Sequence, residues 1–124
     1  MRATRHAALL TLAAAAVGVG GMATTAAAAT TTKTLQADKS KLAFNVKTIT
    51  VKPGKVTLKM FNPSAIPHDI AVKGVSIKQP IKGKVVGKGK TSTVTLNLSK
   101  GTYTFYCSVP GHEQAGMKGK LIVK

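Results

Sequence analysis

Between Cys107 and Met117 the chain sets out a thiol, an imidazole and a thioether in the pattern Cys-x4-His-x4-Met, with His112 at the centre. The span holds the only cysteine, one of the three histidines and one of the four methionines in 124 residues. Thiolate, imidazole and thioether are soft or borderline donors that suit copper. One thiolate and two imidazoles in a trigonal array, with a weak and long axial thioether, make up the donor set of a one-electron copper centre. The span is one imidazole short of that set, and His68 is the obvious source. Such a centre must suit both oxidation states of copper with little movement. Its donors therefore need a rigid frame, and the rest of the chain has to supply one.

The frame begins after a leader. Residues 1–29 read as a secretory signal peptide: Arg2 and Arg5 make a charged start, Ala7 to Met22 an apolar run, and Ala23 to Ala29 offer small-x-small cleavage sites. The apolar run is too short and glycine-rich to read as a membrane span. Cleavage near Ala29 leaves one domain, 30–124, and an exported protein, whether periplasmic, cell-surface or extracellular. The mature chain keeps two histidines, His68 and His112, and two methionines, Met60 and Met117, so nearly every soft donor left is already in the proposed set. A single cysteine in an exported chain cannot close an internal disulfide, which points to a reactive or liganding thiol. A bound metal would also protect that thiolate in an oxidising compartment.

Short strand-forming runs recur between Gly, Pro and Asn signals, and no segment of ten or more residues carries capped helical periodicity. That spacing predicts an all-β sandwich or barrel. Thr30 to Lys33 reads as a mobile polar stub. Leu42, Phe44 and Val46 alternate on one face, and a bulge or change of sheet near Lys47 would connect them to Ile49 and Val51. Pro53-Gly54 marks a turn, and Val56, Leu58 and Met60 then point inward. In His68-Asp69-Ile70-Ala71-Val72 the two-residue period puts His68 on the core face with Ile70 and Val72. Lys73 to Lys90, with six lysines, four glycines and one proline, is the least readable stretch. A short edge strand at Val85-Val86 is expected within it. Val94, Leu96 and Leu98 form a strand, and Ser99 to Tyr103 a corner whose tyrosine hydroxyl returns to nearby backbone. Tyr103, Phe105 and Cys107 share the core face, so Cys107 ends its strand pointing inward. Pro110 and Gly111 fold His112 back, Gly116 lets the backbone pass close before Met117, and Leu121 and Val123 close the core.

With those residues in place the chain resembles the cupredoxins, the small blue copper proteins that include plastocyanin, azurin and auracyanin. The likeness spans the whole mature chain. It rests on Pro67-His68 after an Asn62-Pro63 turn, on Gly101-x-Tyr103-x-x-x-Cys107, and on Cys-x4-His-x4-Met. The four residues between Cys107 and His112 are similar to azurin and auracyanin, and the four between His112 and Met117 to plastocyanin and auracyanin. The resemblance implies a Greek-key β-sandwich of about eight strands with copper at one end. It also implies His68, Cys107 and His112 as strong ligands and Met117 as the axial one. Many relatives carry Asn after the first histidine, where its side chain braces the thiolate loop; here the position is Asp69. A charged Asp69 near the metal would favour copper(II) and lower the potential, and Ser108 could serve in the same outer shell.

Other functions fit less well. A thiol hydrolase would need an orienting Asn or Asp and an oxyanion hole, and would leave the methionine unexplained. The same ligands could serve copper sequestration or delivery. A metal-free structural sandwich would bind no stoichiometric copper. Met60 sits mid-strand between inward residues and reads as core.

The mature domain sets 17 lysines against three acids, a net +14. Export, the loss of both arginines with the leader and the lack of aromatic-basic interleaving argue against nucleic acid. The lysines suit an acidic redox partner steered by charge, or loose association with an anionic membrane or cell-wall surface. The domain is expected to act as a monomer and to carry electrons rather than catalyse. Pro110, Gly111, Ala115 and Gly116, with Ala65, Ile66 and Pro67, would form the apolar patch around His112 through which electrons pass.

Overall fold

The computed structural model describes residues 30–124, and the leader read at 1–29 lies outside the described residues. Eight strands run in order: β1 (Thr30–Gln36), β2 (Thr48–Val51), β3 (Gly54–Asn62), β4 (Ala71–Lys73), β5 (Ile81–Lys82), β6 (Lys90–Leu98), β7 (Gly101–Tyr106) and β8 (Lys118–Val123). They form two sheets, β1-β3-β6 and β2-β8-β7-β4-β5. The chain crosses repeatedly between the sheets, with only β4–β5 and β7–β8 consecutive and paired; β1–β3 and β2–β8 pair in parallel while the other pairs are antiparallel. The result is the all-β sandwich expected from the strand pattern.

Period-two alternation builds the core between the sheets. Val56, Leu58 and Met60 of β3 are fully buried, while Lys55 before them and Lys59 among them are exposed. Ile49 and Val51 of β2, Val94 and Leu98 of β6, Tyr103 and Phe105 of β7, and Leu121 and Val123 of β8 complete the same cluster. Phe44 tilts against Phe105 with ring centroids 5.6 Å apart. The corner before β7 forms as read: the Tyr103 hydroxyl donates to the Ser99 carbonyl at 2.8 Å.

Three local expectations are corrected. Thr30 to Lys33 is no stub but the start of β1, paired with Lys55 to Leu58 of β3. Threonine favours the pleated backbone, and the partner lies far along the chain with no turn signal to announce it. Leu42 to Val46 alternates yet forms no strand. Only Phe44 makes a bridge, to Ala37, and Leu42 and Val46 rest half-buried against the core. The segment instead carries the chain from one sheet to the other: Asn45 pairs with Gln36, and Lys47 accepts from Lys120 of β8. The edge strand of the lysine-rich stretch is Ile81–Lys82, and Val86 makes a lone bridge to His68.

Candidate metal centre

His68 enters the core just before β4. Its backbone makes a two-way bridge with Val86, His68 N–H to Val86 O at 3.1 Å and Val86 N–H to His68 O at 2.8 Å. The turn before it is held by Asn62, whose amide donates to the carbonyls of Ile66 and Val86, each at 2.9 Å, and whose Oδ1 accepts from Ser64 N–H at 2.9 Å. Sequence reading marked Asn62-Pro63 only as a turn. Its burial at 0 % exposure shows the larger role, which no local pattern announces. The Ile70 N–H, two residues on, is taken up by Ser92 Oγ at 3.2 Å.

Cys107 follows β7 and is fully buried, as is His68. Its N–H donates to Met117 O at 3.0 Å, and Met117 N–H donates to His112 O at 3.0 Å, so Met117 ties off the loop at both donor residues. The Met117 side chain is itself fully buried in the core cluster beside Cys107. Gly111 and Gly116 adopt φ of +85° and +109°, which a side chain resists, and so set the loop's two reversals. A Cβ at Gly116 would meet nothing within 4 Å, so it is the backbone angle, not a close approach, that requires glycine there.

The strands and loop bring His68, Cys107 and His112 together. His68 Nδ1 lies 3.2 Å from His112 Nδ1, and Cys107 Sγ lies 3.4 Å from His112 Nδ1 and 3.9 Å from His68 Nδ1. The three donor atoms fall within 4.8 Å of one another. His112 alone of the three reaches the surface, at 8 % exposure.

Burial disfavours charge on the donors. Burial pushes the Cys107 thiol pKa up and the His68 imidazole pKa down, with the neighbouring His112 adding to the effect on His68. His68 thus sits neutral at neutral pH, as a metal ligand must. Two imidazole nitrogens facing each other cannot both hold a proton in line, and His68 Nε2 is buried with no hydrogen-bond partner. Two nitrogens and a sulfur aimed at one another match copper in type and number.

Asp69 occupies the place beside this cluster that the sequence flagged. It is 1 % exposed. Its Oδ1 accepts the Ser108 N–H at 2.6 Å, its Oδ2 accepts the Ser108 hydroxyl, and its own N–H points at Cys107 Sγ at 3.4 Å. Asp69 therefore does the bracing expected of Asn, with Ser108 as its partner.

A β-sandwich with a His–Cys–His cluster at one end defines a cupredoxin. Residues 31–124 match the family described as copper binding proteins, plastocyanin/azurin family, and the chain belongs to it, with copper as its cofactor. Plastocyanin from Chlamydomonas reinhardtii is 34 % identical over 100 residues, covering 75 % of this chain and 66 % of that protein. Plastocyanin A'/A'' from Nicotiana tabacum is 36 % identical over 99 residues, covering 72 % of this chain and 95 % of the relative. Among solved structures, dithionite-reduced auracyanin from Roseiflexus castenholzii superposes with a TM-score of 0.68 at 28 % identity, covering 78 % of this chain and 98 % of that one. Auracyanin A from Chloroflexus aurantiacus gives 0.66 at 27 % identity, covering 77 % of this chain and all of that one.

Proposed function

We propose that the protein is an exported carrier of single electrons, working through one copper held by His68, Cys107, His112 and Met117. The observation that carries the reading is the convergence of two Nδ1 atoms and one Sγ from three separate chain positions, within 4.8 Å. The leader read at 1–29 and the plastocyanin and auracyanin likenesses support it.

Bound copper supplies a one-electron couple. The chain's own residues do the rest. His68 and Cys107, fully buried, keep water from the donors. The bridge to Val86 and the Asn62 network hold His68, and Asp69 with Ser108 holds the base of the loop. His112 turns its edge outward among Pro110, Gly111, Ala115, Ala65, Ile66 and Pro67, all exposed. A small apolar rim of this kind suits brief docking and a short tunnelling path. The net charge of +14 selects an acidic partner and allows loose association with anionic surfaces. The domain works as a monomer and carries electrons without transforming a substrate.

The test is direct. The purified mature domain with Cu(II) should develop an intense blue or green thiolate-to-copper band, and Cys107→Ser should abolish it. A colourless copper complex of the parent would overturn the assignment. Fast electron self-exchange supports a carrier. Slow exchange, with copper passing readily to an acceptor, would instead make it a copper-delivery protein.

A further inference from the structure

On β7, Phe105 points inward, as does Cys107 beyond the strand's end, so Tyr106 points to the outer face of the five-stranded sheet. Its neighbours on that face include Thr104, Lys118 and Lys120. Yet Tyr106 is only 6 % exposed. Its cover comes from outside the strand. The Lys73 ammonium lies 4.5 Å from the ring centroid, and the same ammonium pairs with the Glu113 carboxylate. Among the described residues this is the one ion pair. The other two acids are engaged elsewhere, Asp38 on the backbone of Ser40 and Lys41 and Asp69 on Ser108.

Two members of the trio adjoin a donor of the cluster, and the third ends the strand that follows one. Tyr106 precedes Cys107, Glu113 follows His112, and Lys73 ends the strand that His68 leads into. The loop from 108 to 117 is tied down at its first residue by Asp69 and at its last by Cys107. Between them its backbone bonds to itself: His112 to Val109, Ala115 to Gly111, Gly116 to Glu113. Apart from the His112 ring, Glu113 makes the only polar side-chain tie from the middle of the loop to the sheet.

We propose that Lys73, Glu113 and Tyr106 form a clasp across the outside of the sheet that sets the position of His112 relative to Cys107 and His68. The proposal rests on reading that cluster as the copper site. An ammonium over an aromatic face is attracted to it, and an ion pair seated on that ring is shielded on one side from water. Lys73 thereby joins the His68 strand to the residue after His112. These are positioning residues: none of them is a donor.

The test uses the full mature domain and the variants Glu113→Gln, Lys73→Gln, their combination, Lys73→Arg, and Lys120→Gln as a control on the same face. In the metal-free protein, amide hydrogen exchange at 108–117 should rise about two- to five-fold in each single variant, the range that a partly exposed ion pair supports. The combination should exchange no faster than either single change. Lys73→Arg, which can both pair and stack, and Lys120→Gln should match the parent. In the copper-loaded protein the thiolate-to-copper band should move, and copper should pass to a chelator about two- to five-fold faster, with Lys73→Arg restoring both. Unchanged loop exchange, or strictly additive effects in the combination, would overturn the clasp. Faster exchange with an unmoved band and unchanged copper loss would overturn its positioning role. A parent without any band would overturn the copper reading instead, and loop exchange alone would then decide whether the clasp exists.

Discussion

Replacing Asp69 by Asn isolates a charge from the hydrogen bonds that surround it. Both carboxylate oxygens of Asp69 accept from Ser108, one from its N–H at 2.6 Å and one from its hydroxyl. The Asn oxygen can keep the first bond. Its NH2 can donate to the Ser108 hydroxyl, which accepts as readily as it donates. Shape and bonding stay, and one negative charge leaves a site next to the thiolate. At a separation of about 6–8 Å and an effective dielectric of about 20, a unit charge interacts with the metal by about 2–3 kcal/mol. A one-electron couple moves by about 59 mV per tenfold change in equilibrium constant, so the shift is roughly 100 mV. Its sign is upward, because a negative neighbour stabilises the more positive, oxidised form. The assay is a redox titration followed on the visible band, at low and high salt. A buried charge is screened little, so the shift should survive the high-salt arm. Asp69→Ala serves as the comparison, since it leaves the Ser108 donors without their partner at a cost of about 1–3 kcal/mol in urea unfolding. A fall in potential in the Asn variant, or a shift under about 20 mV, would refute the electrostatic reasoning. An Asn variant as unstable as the Ala variant would refute the premise that its bonds survive.

Gly119→Ala should destabilise the fold by about 1–3 kcal/mol. An added Cβ would collide with the Phe105 ring and come within 2.6 Å of Lys47 O, the acceptor that ties β8 to the segment before β2; a urea midpoint equal to the parent's would contradict this packing. Copper uptake should tighten as pH rises, by about tenfold per unit from neutrality toward the thiol pKa, because burial keeps Cys107 protonated and binding must release that proton. Chelator competition across that range checks it, and a flat profile would show that the thiolate is already formed. For the metal-free protein the sign comes from His68. Its folded pKa lies below that of the unfolded chain, so the unfolded state binds more protons as pH falls. Stability should therefore drop below the ordinary imidazole range, read as a lower urea midpoint at about pH 5 than at about pH 7.

Period-two alternation was enough to place His68 and Cys107 on the core face, because each follows or precedes inward residues whose burial leaves no choice of register. The loop spacing located His112 for a related reason: a side chain five residues on in a short loop cannot stray far from the strand end that begins it. What escaped reading lies at longer range. β1 is four threonines and a lysine before its first buried residue, and only its pairing with β3, across some 25 positions, makes it a strand. Leu42 to Val46 shows the converse error. Alternation tells which residues face the core, but a strand also needs a partner, and here one bridge is all that forms. The Lys73–Glu113–Tyr106 contact could not be read at all. Nothing in a chain of 17 lysines marks the one that finds an acid.

The two halves of the cluster are not held alike. His68 sits between a two-way backbone bridge and a buried asparagine that makes three hydrogen bonds, all within the sandwich. Cys107 directly follows a strand paired on both sides, to β4 and to β8, and its N–H is bonded to Met117 O. His112 stands on a loop whose middle touches the sheet through its own ring and through one partly exposed ion pair. Of the three, His112 is therefore the one least firmly held by the sheets, although its own N–H and carbonyl are bonded within the loop, to Val109 and Met117. His112 is also the donor that reaches the surface. On the proposed reading, the least firmly held donor is thus also the one nearest a docking partner. The frame keeps that freedom small by anchoring the loop on either side of His112, through Ser108 and through Glu113.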